Sequence, residues 1–300
     1  MVMLDLDGKK IDVEKQLEDL DRADCEDNLY TFLKHAWRYI DSSPFTPGWP
    51  IEAVAEHLQA VCDGEIKRLL VNIPPRCSKS TITSVAFPAW VWAQRYSSHT
   101  SGPGVQFLSA SYAGQLSTRD SVKCRRLIES PWYQKLWGNR FQMASDQNVK
   151  TRFDNNKGGV RLSTSVGSAL TGEGMNIGII DDPNGAQDAI SSQAVVESTI
   201  EWWDGTMSTR LNDAKTGAYV IIQQRLAEND LTGHVLEKDV GEWTHLCLPM
   251  KYEADRAFKT SIGWEDPRKD EGDLLWPDRF GPKEVKNLEK SLGPFMSAGQ

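Results

Sequence analysis

RLLVNIPPRCSKSTITSVAF (residues 68–87) opens as an apolar run, bends at two prolines and then presents Lys79-Ser80-Thr81 ahead of a further apolar stretch. A strand, an abrupt turn and a helix are the natural reading. That is the layout of a phosphate-binding loop, G-x-x-x-x-G-K-[ST], without its glycines. With Lys79 aligned to the loop lysine, Ser80 takes the place of the Mg²⁺-binding hydroxyl. Ser78 then stands at the second glycine and Ile73 at the first. Such a loop works because backbone N–H groups and a helix N-terminus face an anion. Pro74 and Pro75 can set the bend by restricting φ, whereas Ser78 has to adopt a glycine's φ at some conformational cost. Arg76 adds a cation near the terminal phosphate. Pro75, Arg76, Cys77, Ser78, Lys79, Ser80 and Thr81 are therefore the candidate nucleotide-binding residues. The plainer alternative is a strand-turn-helix with a surface lysine.

A second stretch bears on the choice. NIGIIDDP (residues 176–183) is an apolar run that delivers Asp181 and Asp182 to one strand end. In open α/β sheets ligands sit at the carboxyl ends of the parallel strands. A phosphate-loop enzyme needs one strand-end Asp for Mg²⁺ and a neighbouring carboxylate for the attacking water. Asp181 suits the metal role with Ser80, and Asp182 the catalytic one. Asp-Asp-Pro also starts turns and helices. The order of the two stretches and their strand contexts together point to hydrolysis of a nucleoside triphosphate with Mg²⁺.

The rest of the chain supplies the frame. Residues 51–62 have apolar positions at helical spacing, and a helix is expected over residues 79–96, kinked at Pro88. VQFLSAS (105–111) is a buried strand and residues 114–130 a helix ending near Pro131. GGVRLSTSVG (158–167) alternates as a strand or hairpin. A helix is expected over 189–203, and AYVIIQQR (218–225) and WTHLCLPM (243–250) are further strands. Strands alternating with helices predict an α/β class: a doubly wound, mostly parallel sheet of the P-loop NTPase (ASCE) type. We divide the chain into an acidic helical segment (1–50), the ATPase core (51–250) and a small polar linker segment (251–300) ending in a short helix.

The net charge of −8 excludes indiscriminate nucleic-acid binding by the whole surface. Its distribution is uneven. Residues 1–30 carry a local balance of −6, residues 119–161 one of +6. Lys123, Arg125 and Arg126 in the basic stretch are candidate contacts to DNA phosphates, or else a solvated helix face. Five scattered cysteines form no CxxC pair and no disulfide framework. No secretory signal and no membrane-spanning run is present in the sequence.

Several strings resemble the large terminase subunits of tailed bacteriophages. NIPPRCSKS is similar to that family's variant phosphate loop, and GIIDDP to its acidic strand end. LTGEGMN, VIIQQRLAENDLTGH and LLWPDRFGPKEVKNLEKSLGPF match in order and approximate spacing, so the resemblance covers roughly residues 28–300. It implies an ATPase motor that drives double-stranded DNA into a procapsid. The implied assembly is a ring on the portal protein, with a small terminase subunit as partner, in the host cytoplasm. The isolated chain is expected to be a monomer, and the family's C-terminal nuclease activity is not expected of it. The family's Arg-Gly pair before the acidic strand looks here like Thr171-Gly172, so another arginine has to reach a neighbouring site. Arg210 leads, with Arg225 and Arg161 behind it. Gln223 or Gln224 is placed to sense the γ-phosphate, as polar residues after this strand do in the family. Trp49, His57 and Gln59 lie on the side expected for adenine, where core packing is the competing role. A helicase-like translocase and a non-catalytic nucleotide-binding scaffold are the alternatives.

Overall fold

The structure is a computed structural model that describes residues 2–4, 10–256 and 259–298. The remaining positions, among them parts of the acidic first segment and of the linker segment, lie outside the described residues. A short antiparallel pair, β1 (Val2–Leu4) and β2 (Lys10–Asp12), precedes helices α1 (Val13–Asp27), α2 (Leu29–Ile40) and α3 (Trp49–Cys62). Then follow β3 (Arg68–Asn72), a π-helical turn (Thr81–Ala86), α4 (Phe87–Trp92), β4 (Gln106–Ser111), α5 (Gly114–Ile128) and α6 (Pro131–Trp137). The second half contains β5 (Met143–Asn148), β6 (Arg152–Asn155), β7 (Val160–Ser165), β8 (Ile177–Asp181), α7 (Ala186–Ser191), α8 (Gln193–Gly205), β9 (Ala218–Gln223), α9 (Leu231–Lys238), β10 (Thr244–Cys247) and α10 (Pro282–Ala298).

Eight strands form one sheet in the order β10-β3-β9-β8-β4-β7-β6-β5. The pairs from β10 to β7 are parallel, and β6 and β5 extend the edge antiparallel. The expected doubly wound, mostly parallel α/β sheet is present. One strand, β9, separates the strand before the loop from the strand with the acids. The central strands are apolar on both faces because both faces are covered. Alternate residues divide between two cores. Leu69, Val71, Ile177, Ile179, Val220 and Ile222 face α2 to α6, while Leu70, Ile180, Tyr219 and Ile221 face α8 and α9.

The N-terminal helices join the first of these cores through Phe32, Leu33 and Trp37. The linker segment is pinned to it by Trp276, whose indole donates to the Pro47 carbonyl at 3.1 Å. A side chain at Gly48 would collide with that ring, so the SSPFTPGWP connector needs glycine there. Among the described residues, no helix is long and apolar enough to cross a membrane.

Three expectations need correction. The helix over 79–96 is not one Pro88-kinked α-helix. Its first turn is π-helical, with the Phe87 N–H bonded to the Ile82 carbonyl, and α4 stops at Trp92. Pro88 has no N–H to offer the Ser84 carbonyl one turn back. That carbonyl instead accepts from the buried Arg161 guanidinium at 2.7 Å. Arg161 is therefore a core residue with no exposed surface and cannot reach a neighbouring subunit. GGVRLSTSVG supplies a strand, β7, as expected, and its hairpin partner is the upstream β6. The polar strands β5 and β6, the last two of the sheet, lack the apolar alternation by which a strand is recognised. The helix over 189–203 is two helices, broken where Ser192 is extended (φ −145°, ψ 104°).

Removing the Arg161 side chain takes a buried cation from beside Asp120, Asp181 and the Ser84 carbonyl. Arg161→Ala is expected to lower unfolding stability by about 3 kcal/mol or more, measured by urea denaturation.

Candidate active site

The loop leaves β3 at Asn72 and is still stitched to the sheet at its first residue, where the Ile73 N–H donates to the Gln223 carbonyl at 3.3 Å. It then turns twice through left-handed backbone, at Arg76 (φ 66°) and Ser78 (φ 61°). Ser78 thus adopts the conformation its glycine position demands. Ile73 does not substitute for the first glycine in this way; Arg76 does. Left-handed residues alternating along a loop are what gather successive N–H groups into an anion-binding concavity. The Ile82 N–H bonds back to the Ser78 carbonyl, so a helical turn begins at the loop's end. Left-handed backbone costs a residue with a Cβ about 1–2 kcal/mol, part of which glycine returns as chain entropy. Ser78→Gly is expected to raise stability by about 0.5–1 kcal/mol, seen as a higher denaturation midpoint.

Lys79 and Asp182 meet across the site. The Lys79 ammonium is buried and lies 2.9 Å from Asp182 Oδ2. Asp182 Oδ1 accepts from the Gln224 N–H at 3.2 Å. Asp182 is itself left-handed (φ 45°), and its main chain bonds to Ile222 on one side and Tyr112 on the other. Its carboxylate is therefore held between the loop and the end of β9.

Asp181 lies deeper. Its Oδ2 accepts from the Ser84 hydroxyl at 2.9 Å, while Oδ1 is buried with no hydrogen-bond partner. Burial, followed by the neighbouring Asp182 carboxylate, pushes its pKa up from 3.8 to about 7, against the opposing pull of Lys79 and the Ser80 hydroxyl. A buried carboxylate oxygen without a partner, beside a serine hydroxyl, is a hard-oxygen donor set that fits Mg²⁺. Among the described residues no three His, Cys, Asp or Glu side chains cluster to enclose a metal. Water and phosphate oxygens would complete the shell, as Mg²⁺ prefers.

The other expected residues are placed as follows. Arg76 is exposed at the tip of the loop. Cys77 is buried, and burial pushes its thiol up to about 12, so only its main chain can serve a nucleotide. Gln223 is buried and spends its amide on the Thr232 hydroxyl at 2.8 Å, which leaves Gln224 as the residue facing the acids. Arg225 is tied to Asp230 and to the carbonyls of Ala227 and Glu228. Arg210 donates to the Thr206 and Leu170 carbonyls, and its own carbonyl bonds Met175 ahead of β8. It thus stands at the opposite edge of the sheet from the loop, and any catalytic part would be played on another copy.

Trp49, His57 and Gln59 all have packing roles. Trp49 stacks on Trp264 beneath Arg268, His57 bonds Ala53 and Thr260, and Gln59 joins the start of α2 to α3. Arg125 is bound to Asn148 of β5.

Three contributors were not anticipated. Ser84 lies in the π-helical turn and reaches Asp181 from there. Asn72 ends β3 in a buried polar chain with Gln223, Thr232 and His245, and a polar residue closing an apolar strand was the available signal. Arg119 and Asp120 of α5 form a two-pronged ion pair at 2.8 and 3.0 Å. Asp120 is buried, and its charge is felt at Asp181.

The same architecture is found in a known structure, that of the HK97 bacteriophage large terminase. The TM-score is 0.54 at 11% identity, over 92% of this chain and 55% of that one. The chain has a large-terminase-like fold. The large terminase of a thermophilic bacteriophage is matched at 9% identity with a TM-score of 0.39, over 64% of this chain and 45% of that one. The chain thus spans about half the length of the terminases it matches. No family model matches the sequence, and no curated protein does so either.

Proposed function

We propose that this terminase-like chain is the ATP-hydrolysing motor portion of a viral large terminase, which moves double-stranded DNA into a procapsid. The observation that carries the reading is the meeting of Lys79 and Asp182 at 2.9 Å beside the buried, unpartnered Asp181 oxygen. A loop lysine, a metal-type carboxylate and a second carboxylate converge at the carboxyl edge of a parallel sheet, where such sites belong.

Lys79 binds the β/γ-phosphates and leaves Asp182 when it does so. Asp182, still held by the Gln224 N–H, is then able to orient the attacking water and take its proton. Ser80 and Asp181 are the residues that would hold Mg²⁺, which when bound neutralises phosphate charge. Arg76 adds positive charge from the loop tip. Release of Asp182 from Lys79 alters a contact with the end of β9, which gives nucleotide binding a mechanical consequence. The motor acts as a ring on the portal protein with a small terminase subunit, in the host cytoplasm, and an arginine from the next copy assists hydrolysis. The test is phosphate release by the purified chain with ATP, with and without Mg²⁺, alongside calorimetry of ATP binding. Magnesium-dependent turnover is expected. A folded chain that takes up no ATP would end the reading.

A further inference from the structure

The outer face of α5 carries an open depression of about 550 Å³, lined by Gln115, Thr118, Arg119, Lys123, Arg126 and Lys150 among others. Arg119, Lys123 and Arg126 are spaced i, i+4, i+7, so they share one helix face. Lys150, from the turn after β5, widens the stripe on one side. In a chain of net charge −8 this is a concentrated positive feature. The nearby acids are few: Arg119 is already paired with Asp120, and the Asp41 carboxylate feels Lys123. Lys123, Arg126 and Lys150 form no ion pair with any described residue. Charges left uncompensated on a shared surface favour a polyanion.

The shape decides which one. From Arg119 to Arg126 the helix advances about 10 Å, or about three phosphate steps at 3.4 Å along one strand of a duplex. The depression is open, and none of its lysines and arginines is buried to close around a single phosphate. Its lining contains no aromatic ring, so it has no platform for stacking unpaired bases. Lys and Arg heads on a helix face grip backbone without reading base edges.

We propose that this stripe is a seat for the phosphodiester backbone of duplex nucleic acid, with Lys123, Arg126 and Lys150 as its cations and the Asp120-paired Arg119 at its end. Arg125, bonded to Asn148 of β5, is not part of it. The seat adjoins the catalytic edge, because α5 begins where β4 ends, beside β8. The inference deepens the motor reading by locating its polymer, yet its test does not depend on hydrolysis.

The experiment is fluorescence anisotropy of a short mixed-sequence duplex with the full chain across a salt series. Three phosphate contacts give a slope of log affinity against log salt of about −3. The triple variant K123A/R126A/K150A is expected to weaken binding at least about tenfold and to flatten the slope by about 3. A charge-matched control, K67A/K215A/K290A, changes surface lysines elsewhere and is expected to leave the slope close to that of the unaltered chain. Circular dichroism confirms that both variants fold. Equal losses in the two triples would overturn the proposal in favour of diffuse charge. Preference for a single strand over the duplex, or displacement by millimolar inorganic phosphate, would overturn it as well. Duplex binding without ATP turnover would sink the motor reading and leave this one standing.

Discussion

Alanine at Lys79 is expected to reduce kcat/KM for ATP by at least about 10²–10³, equivalent to about 3–4 kcal/mol of transition-state stabilisation. Two losses combine. The variant lacks the cation that the proposed site would set against the β/γ-phosphates, and it also strips Asp182 of the ammonium now 2.9 Å away. The two carboxylates then face each other without that counter-charge, and Asp181, which Lys79 pulls towards ionisation, becomes harder to ionise. Binding of Mg²⁺ is therefore expected to weaken along with turnover. Phosphate release and calorimetry on the same preparations check both. A K79A chain that turns over like the unaltered one would place the active site elsewhere.

Asparagine at Asp181 is expected to act in opposite directions on stability and function. The folded-state pKa of Asp181 is raised to about 7 by burial and then by Asp182, against 3.8 for the ordinary carboxyl. Between those values the folded chain holds a proton that the unfolded chain has released. The contribution of Asp181 to stability in the absence of metal is therefore fully present below about pH 4 and falls as the pH climbs to about 7, by up to about 1.4 kcal/mol per pH unit for one proton. Asp181→Asn removes the ionisable group. It should flatten that slope and make the metal-free chain more stable at neutral pH, while abolishing Mg²⁺-dependent hydrolysis. In the unaltered chain, Mg²⁺ binding near pH 6 should release up to about one proton, because a metal takes the ionised form. Denaturation midpoints across a pH series, with and without Mg²⁺, measure these effects. A pH-independent difference between the two chains would show that Asp181 does not titrate in this window.

Both predictions concern residues legible in the linear chain. The Lys79-Ser80 pair after a strand and the Asp181-Asp182 pair ending another were visible as chemistry, because strand ends in parallel sheets carry function. Most of the parallel sheet was visible too, because strands buried on both faces must be apolar throughout. What escaped detection had no periodic signal. The β5–β6 hairpin is polar and lies at the sheet edge, so no apolar alternation marks it. The π-helical turn is bonded to a buried arginine 77 residues away in sequence, which takes the carbonyl that Pro88 cannot serve. Trp49, His57 and Gln59 looked available for a nucleotide until their partners, such as Thr260 and Asp27, came from distant segments.

The chain's local chemistry determined where a phosphate could be met, which carboxylates would stand opposite and which face of α5 would be basic. These follow from residue type and from the periods of strand and helix, both carried within a short window. Tertiary structure decided what each group is free to do. It forced Ser78 and Arg76 into left-handed backbone, committed Arg161, Gln223 and Arg125 to internal partners and left one Asp181 oxygen without any. Those outcomes depend on which distant atoms arrive first at a given donor or acceptor, and only the folded arrangement of the whole sheet and its helices settles that competition.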